Sequence, residues 1–555
     1  MRRIIVFFLV VFAITQMSGQ SSVTFRVDME NLMTEGLFSS DSGDRIFIRG
    51  SFNDWKGSMY ELKKSPVIPN LYCGTFEFEN IGDTLFFKYI LHKEADRAFW
   101  ESNPDPDNPD NGNRSLIVRD EEMMLPPATF CYDEYITFPV LFSKKQLEED
   151  FLQFRNILES THPALYDYTN KEVLDSIFDH NYERIGLNLE FTDFLMLMTE
   201  VISKVGCGHS SLWVPGKFWN VAPGKLFPYE LYISGDQVLV KGVMDGTREI
   251  PPGSELLSIN NQPVQQIIQR LASLTSADGF NSSYRKTKVA QNFAVKYALA
   301  FGFPDNFMVE YIAPGNLQHS HKTIRPVSKN VIDSNKSRQS ELSFREIPGM
   351  NTGVLTINTF GYYGRVEMFR NFMDSVFTVI SQEGIGDLIL DLRGNSGGDP
   401  FCASYLWAYL EPGPLPYFKD HYGKYDTLAN PVPQPGYHYK GDLYTLIDGN
   451  GFSTTGHFCA LLDYHNVGSF VGSELGSTYT CTGNATYPPL KNTGIMVGTA
   501  RVRRYTAAVE DMDAMCGVMP DYPVEIGPGD IIEGRDAVME YALSLINNTR
   551  DSKQN

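Results

Sequence analysis

The sequence predicts a multidomain chain with an N-terminal antiparallel β-sandwich, a helical segment leading into an α+β domain, and a C-terminal α/β core. Three observations predict it. At 555 residues the chain exceeds what one core holds, and length alone implies roughly three or four domains. Hydrophobic periodicity changes along the chain, from period 2 near the start to helical spacing after residue 142, then to alternating strands and helices from about residue 340. Composition is that of a globular protein, 42% hydrophobic and 21% charged, which excludes disorder over most of the length.

Residues 1–19 read as a secretory signal peptide. Arg2 and Arg3 precede an apolar run from Ile4 to Ile14, followed by small and polar residues through Gly19 and Gln20. The run is shorter than the roughly 20 residues of a membrane span, and no later segment reaches that length without charges. No Cys follows it closely, so no lipid anchor is expected there. The expectation is an exported protein, periplasmic, cell-surface or secreted, without a transmembrane segment. A formal net charge of −20 excludes nucleic acid as a partner, because phosphate backbones need clustered Lys and Arg. Arg501-Val-Arg-Arg504 is short and reads as an exposed strand face. The seven cysteines, at 73, 131, 207, 402, 459, 481 and 516, form no CxxC pair and are too few for a disulfide scaffold. They read as buried thiols, with no metal site and no cofactor implied.

Residues 20–125 alternate Ser22–Val27, Arg45–Arg49 and Thr84–Ile90 with Gly, Asp, Asn and Pro turns, which predicts short strands. Phe47-Ile-Arg-Gly-Ser-Phe-Asn-Asp-Trp55, Phe87-Lys-Tyr89, Phe99-Trp-Glu101 and Asn113-Arg114 resemble starch- and glycogen-binding β-sandwich modules. The resemblance implies a polysaccharide partner, with Trp55 and Trp100 either stacking on sugar faces or completing the sandwich core. The turn Asp105–Gly112 lacks the acid an EF-hand needs at Pro109 and reads as a Pro-rich turn.

Residues 139–222 are helical, with Ser143 capping a helix through Leu158 and a second helix, Phe191 to Lys204, running into Gly-Cys-Gly-His209-Ser-Ser. Within 223–330, Ile250-Pro-Pro-Gly-Ser-Glu-Leu-Leu-Ser-Ile-Asn-Asn-Gln-Pro-Val264 resembles the core of PDZ domains, which bind extended peptides by strand addition. Residues 340–548 alternate strands (Gly353–Ile357, Gly386–Leu392, Tyr444–Ile447, Val467–Val471) with helices (Arg365–Glu383 and one after Ser453), which predicts a parallel sheet covered on both faces.

Two loops at strand ends carry the chemistry. Asp391-Leu-Arg-Gly-Asn-Ser-Gly-Gly398 has the glycines for a tight turn with exposed N–H groups, able to donate to an oxyanion. It lacks the Walker pattern of a phosphate loop. Asp448-Gly-Asn-Gly-Phe-Ser453 places a hydroxyl between a strand and a helix start, either as a nucleophile or as a helix cap. A nucleophilic hydroxyl needs a base. His457 lies four residues into the helix, His465 follows in a polar connection, and His209 sits in a small-residue loop that can project into a cleft.

These two loops, with Val471-Gly-Ser-Glu474 and Cys516-Gly-Val-Met-Pro-Asp521-Tyr-Pro-Val524, stand in the order seen in the C-terminal-processing and tricorn-core serine peptidases. The resemblance spans residues 142–547. It implies a crotonase-like, ClpP-like core and an exported serine endopeptidase acting on a protein or peptide substrate, with Ser453 as nucleophile. It also implies oxyanion donors at Gly397 or Gly398 and Thr454, while Asp391, Arg393 and Asn395 shape the loop. The processing proteases use a Lys, but Leu475–Tyr479 has none and Lys491 lies beyond a Pro-Pro pair. The tricorn type uses a His oriented through a Ser and a Glu, so His209 takes the role of base. The expected Ser is replaced by Gly208, with Ser210 following, and Ala514 stands near the place of the Glu. Asp513 is the favoured carboxylate, with Asp511 and Glu510 as alternatives. An α/β-hydrolase order is excluded, since no His follows His465. The remaining alternative is a catalytically impaired peptidase fold that binds glycans or peptides.

Overall fold

The computed structural model describes residues 21–34, 38–78, 81–93, 97–101, 113–119, 121–130, 142–187, 189–221, 224–244, 249–334, 340–510 and 515–554. The signal peptide at 1–19, the turn 105–112, Cys131, Asp511 and Asp513 lie outside the described residues. The chain divides into two compact units, Met1–Pro139 and Val140–Asn555.

In the first unit, Ser21–Asp28 buries every second residue and pairs antiparallel with Leu71–Phe78 along its whole length. Arg45–Gly50 pairs antiparallel with Thr84–Lys93, and Glu61–Lys64 touches both pairs, joining them into one path. Val23, Phe25, Val27, Ile46, Ile48 and Phe87 fill the space enclosed. Met123–Met124 and Ala128–Thr129 run parallel to the first strand, so the sheet is mixed at that edge. Trp55 and Trp100 are partly exposed and outside this core, their ring centroids 6.1 Å apart at 39°. The Arg49 guanidinium lies 5.4 Å from the Trp100 ring centre.

The second unit opens with Lys144–Thr161, whose capping box pairs the Ser143 hydroxyl with the Gln146 amide at 3.3 Å and the Gln146 side-chain oxygen with the Ser143 amide at 2.9 Å. Lys171–Glu183 and Phe191–Val205 complete a helical layer. A sheet follows in the order Tyr229–Ser234, Gln237–Val243, Glu255–Ile259, Phe307–Ile312, His319–Ile324, every pairing antiparallel. Gln262–Pro263 returns on Glu255–Ile259 through Asn260 and Asn261, whose φ of 50° and 63° are those of a two-residue hairpin turn. Helix Val264–Ser273 packs Ile267, Ile268 and Leu271 under this sheet.

The α/β core is a six-stranded sheet: Leu342–Glu346 antiparallel at one edge, then Thr352–Ile357, Asp387–Asp391, Asp442–Ile447, Ser469–Gly472 and Tyr522–Pro523 in parallel. Alternation assigns each residue to a face. Leu355, Ile357, Leu388 and Leu390 meet helices Val366–Glu383, Pro400–Leu410 and Thr454–Tyr464, while Val354, Ile389 and Leu446 meet the C-terminal helix Ala537–Gln554. Both faces are therefore buried, as near-continuous apolar strands require. The two chemistry-bearing loops leave the same ends of adjacent parallel strands.

Candidate active site

Strand Asp442–Ile447 ends at Asp448, whose carboxylate accepts the Gly394 amide at 3.1 Å and the Asn450 amide at 3.0 Å. The Phe452 amide then bonds the Asn395 carbonyl at 3.2 Å, so the turn is pinned to the neighbouring loop on both sides. Ser453 follows with φ 58° and ψ −118°, a conformation that costs a residue bearing a Cβ about 1–3 kcal/mol. Helix Thr454–Tyr464 begins at the next residue, and the Ser453 side chain makes no capping bond to it. The geometry thus favours a presented hydroxyl over a helix cap.

His209 reaches that hydroxyl from the helical layer. Helix Phe191–Val205 stops at Gly206 in the left-handed region (φ 69°), the Ser210 amide closes a turn on the Cys207 carbonyl at 2.9 Å, and Ser211–Trp213 pairs with Met496–Gly498. Held at both ends, His209 places Nε2 3.2 Å from Ser453 Oγ. Its ring lies 4.7 Å from that of Phe452. A Cβ at Gly208 would stand 2.6 Å from the Phe452 ring, which accounts for glycine where the resemblance places serine. Burial, and secondarily the neighbouring His162, push the His209 pKa down to about 4. The imidazole is therefore neutral at ordinary pH, the form that accepts a proton. Nδ1 is buried with no hydrogen-bond partner among the described residues.

The glycine loop packs directly on the nucleophile turn. A Cβ on Gly397 (φ 98°) would lie 2.5 Å from the Phe452 carbonyl oxygen, and one on Gly398 (φ 149°) 2.1 Å from the Phe360 carbonyl carbon. Only glycine fits either position. The Gly397 amide donates to Asn395 Oδ1 at 2.9 Å, and Thr454 Oγ1 donates to the Gly398 carbonyl at 2.7 Å. Arg393 forks onto Asp391 (2.9 and 2.7 Å) and onto Asp536 (2.6 and 2.8 Å), which holds the loop from behind. Asn395, fully buried, also donates to the Ile357 carbonyl at 3.0 Å.

The other candidate bases, His457, His465 and Lys491, are engaged elsewhere. His457 is buried against the Tyr505 carbonyl at 3.1 Å and the Cys481 thiol at 3.4 Å, and His465 packs on Trp407. Lys491 sits at the surface beside Glu149 at 3.4 Å. Glu474 accepts the Ser283 hydroxyl at 2.6 Å and the Gly517 amide at 3.1 Å, and Asp521 accepts the Phe470 amide at 2.7 Å, so these motif acids are struts. Ser210 is buried, and its hydroxyl has no hydrogen-bond partner among the described residues. Glu510 is exposed. Among the described residues, the carboxylate brought to His209 is Asp278. It is buried and accepts the Gly208 amide at 2.7 Å, with one oxygen, the Cys207 sulfur and a His209 ring nitrogen all within 4.8 Å of one another. Sequence reasoning missed it because Asp278-Gly279 has the look of an ordinary turn.

Residues 351–524 match the model of peptidase family S41. Among solved structures, the chain is similar to mature CPAF at 14% identity, covering 73% of this chain and 98% of that one with a TM-score of 0.53. Mature CPAF complexed with lactacystin gives 14% identity, 73% and 99% coverage and a TM-score of 0.52. These two likenesses speak to the fold. No curated protein matches the chain.

Proposed function

Because this chain is a serine-type peptidase whose residues 351–524 carry the peptidase family S41 core, we propose that it is an exported endopeptidase that cleaves peptide bonds through an acyl-enzyme on Ser453. The observation that carries the reading is the 3.2 Å contact between Ser453 Oγ and His209 Nε2, on a turn whose backbone presents the hydroxyl. Ser453 Oγ attacks the scissile carbonyl carbon while its proton passes to His209 Nε2. The carbonyl oxygen becomes an oxyanion, received by the Gly398 and Thr454 amides, since the Gly397 amide is committed to Asn395. Collapse expels the amine, which takes the proton from His209. Water then enters by the same route in reverse and releases the acid. The imidazolium formed on the way needs a nearby negative charge, and Asp278 supplies it from inside the fold. Asp513, the carboxylate the resemblance favours, lies outside the described residues.

Residues 223–330 act in this reading as a PDZ-like peptide-docking domain beside the site. A separate role for the first unit is favoured by the Trp55–Trp100 pair, two partly exposed rings side by side with a guanidinium over one of them, which suits a polysaccharide chain.

The test is fluorophosphonate labelling together with hydrolysis of a quenched-fluorescent protein substrate. Wild type should label, and Ser453→Ala should not. His209→Ala should lower kcat/KM about 10³-fold or more. Asp278→Asn should cost more than Asp513→Asn if the carboxylate is assigned correctly. Wild-type labelling no greater than that of Ser453→Ala would leave the binding-protein alternative standing.

A further inference from the structure

Outside the peptidase reaction, the Ser453–His209 pair has a second chemistry built against it. Cys207 Sγ, one ring nitrogen of His209 and one carboxylate oxygen of Asp278 lie within 4.8 Å of one another. They come from one turn and from a loop far along the chain, joined by the Gly208 amide bond to Asp278. Cys207 and Asp278 are buried, and His209 is the partly exposed residue of the three. We infer that Cys207, His209 and Asp278 form an inhibitory site for a zinc-class divalent cation.

The donor set selects the metal. Thiolate, imidazole and carboxylate together suit a borderline-soft ion of tetrahedral preference and not Mg²⁺ or Ca²⁺, which want oxygen cages. Three protein ligands leave one position open, for water or for the Ser453 hydroxyl that already touches His209. Zn–ligand bonds of about 2.0–2.3 Å give a tetrahedral edge of roughly 3.3–3.7 Å, so closing the site takes about 1 Å of side-chain movement. The Cys207 thiol gives up its proton to solvent on binding, at the expense of its 2.7 Å contact with Thr482 Oγ1. Thiolate and carboxylate then offset the dication, leaving no net charge in the buried site.

The consequence for catalysis is independent of which ring nitrogen binds. Metal on Nε2 consumes the lone pair that would accept the Ser453 proton. Metal on Nδ1 leaves the hydrogen on Nε2, which again cannot accept one. Either way the base is silenced while the fold is kept. This consequence rests on the proposed role of His209, whereas the binding itself does not.

The experiment uses the full chain and two readouts. Cobalt(II), as a spectroscopic stand-in for zinc, should give a near-ultraviolet sulfur-to-metal charge-transfer band that Cys207→Ser and Cys207→Ala lack. Zinc at micromolar concentration should suppress fluorophosphonate labelling at least tenfold, with recovery on chelation. Both Cys207 variants should keep their zinc-free labelling rate and need at least tenfold more zinc for the same suppression. No charge-transfer band in wild type overturns the site. A band without suppression of labelling overturns the inhibitory role. If wild type does not label even without metal, the peptidase reading has failed and the cobalt band alone decides the site. Equal zinc sensitivity in wild type and both Cys207 variants also overturns the proposal.

Discussion

Ser453 holds a positive φ with a Cβ attached, and the chain tolerates this because Asp448, Asn395 and the helix start fix the backbone on either side. That makes a prediction separable from catalysis. Ser453→Ala and Ser453→Gly should both abolish labelling, but only glycine relieves the φ/ψ penalty. Ser453→Gly should therefore be more stable than Ser453→Ala by about 1 kcal/mol, read as a higher denaturation midpoint of the peptidase unit. Equal or reversed midpoints would mean the turn stores no strain. At this scale the glycine loop and the Ser453 turn were legible as strand-end turns, while the residue pattern left Ser453 between nucleophile and helix cap, and its role and that of Gly397 or Gly398 came from the resemblance. Asp278 was not. Its role follows from one backbone amide, that of Gly208, which no residue type announces.

Between elements, the support for His209 runs through Asp150. This buried carboxylate on helix Lys144–Thr161 accepts the Asn492 amide at 2.9 Å and the Thr493 amide and hydroxyl at 2.7 Å. The same segment continues into Met496–Gly498, the partner of the strand that follows His209. Asp150→Ala strands several buried donors, so it should cost about 3 kcal/mol or more and lower hydrolysis by misplacing the base. Hydrogen exchange should quicken at residues 492–498 and 211–213 and stay slow in strand Asp387–Asp391. Unchanged exchange at 211–213 would break the proposed link. The periodic elements themselves were readable: Phe191–Val205 and the core strands fall within a residue or two of their predicted bounds. The parallel two-residue strands at Met123 and Ala128 were not, since a pair of residues carries no periodicity.

On the whole-molecule scale, each of the two compact units has its own apolar core. Residues 140–555 produced alone should therefore fold and keep full proteolysis while losing any retention on a glycogen or starch resin. In the full chain, Trp55→Ala and Trp100→Ala should each cut retention several-fold and leave proteolysis unchanged. Equal retention of the wild type and both variants would remove the sugar-binding reading of the first unit. Among the described residues no helix is long and apolar enough to cross a membrane. Of the described cysteines, Cys207, Cys402, Cys459 and Cys481 are buried, whereas Cys73 is half-buried and Cys516 exposed, so the reading of all of them as buried thiols holds for four.

What the sequence determined by itself is whatever depends on local pattern: the switch from period 2 to helical spacing, the glycine loop, the serine turn, and the absence of a lysine beside it. These are short-range properties, and a linear string contains them in full. What only the tertiary structure decided is which groups meet. His209 comes to Ser453 because a helix C-cap and a strand partner fix its loop, and Asp278 arrives because it binds the amide one residue away. Long-range pairing of this kind depends on the packing of whole elements, which residue spacing does not encode.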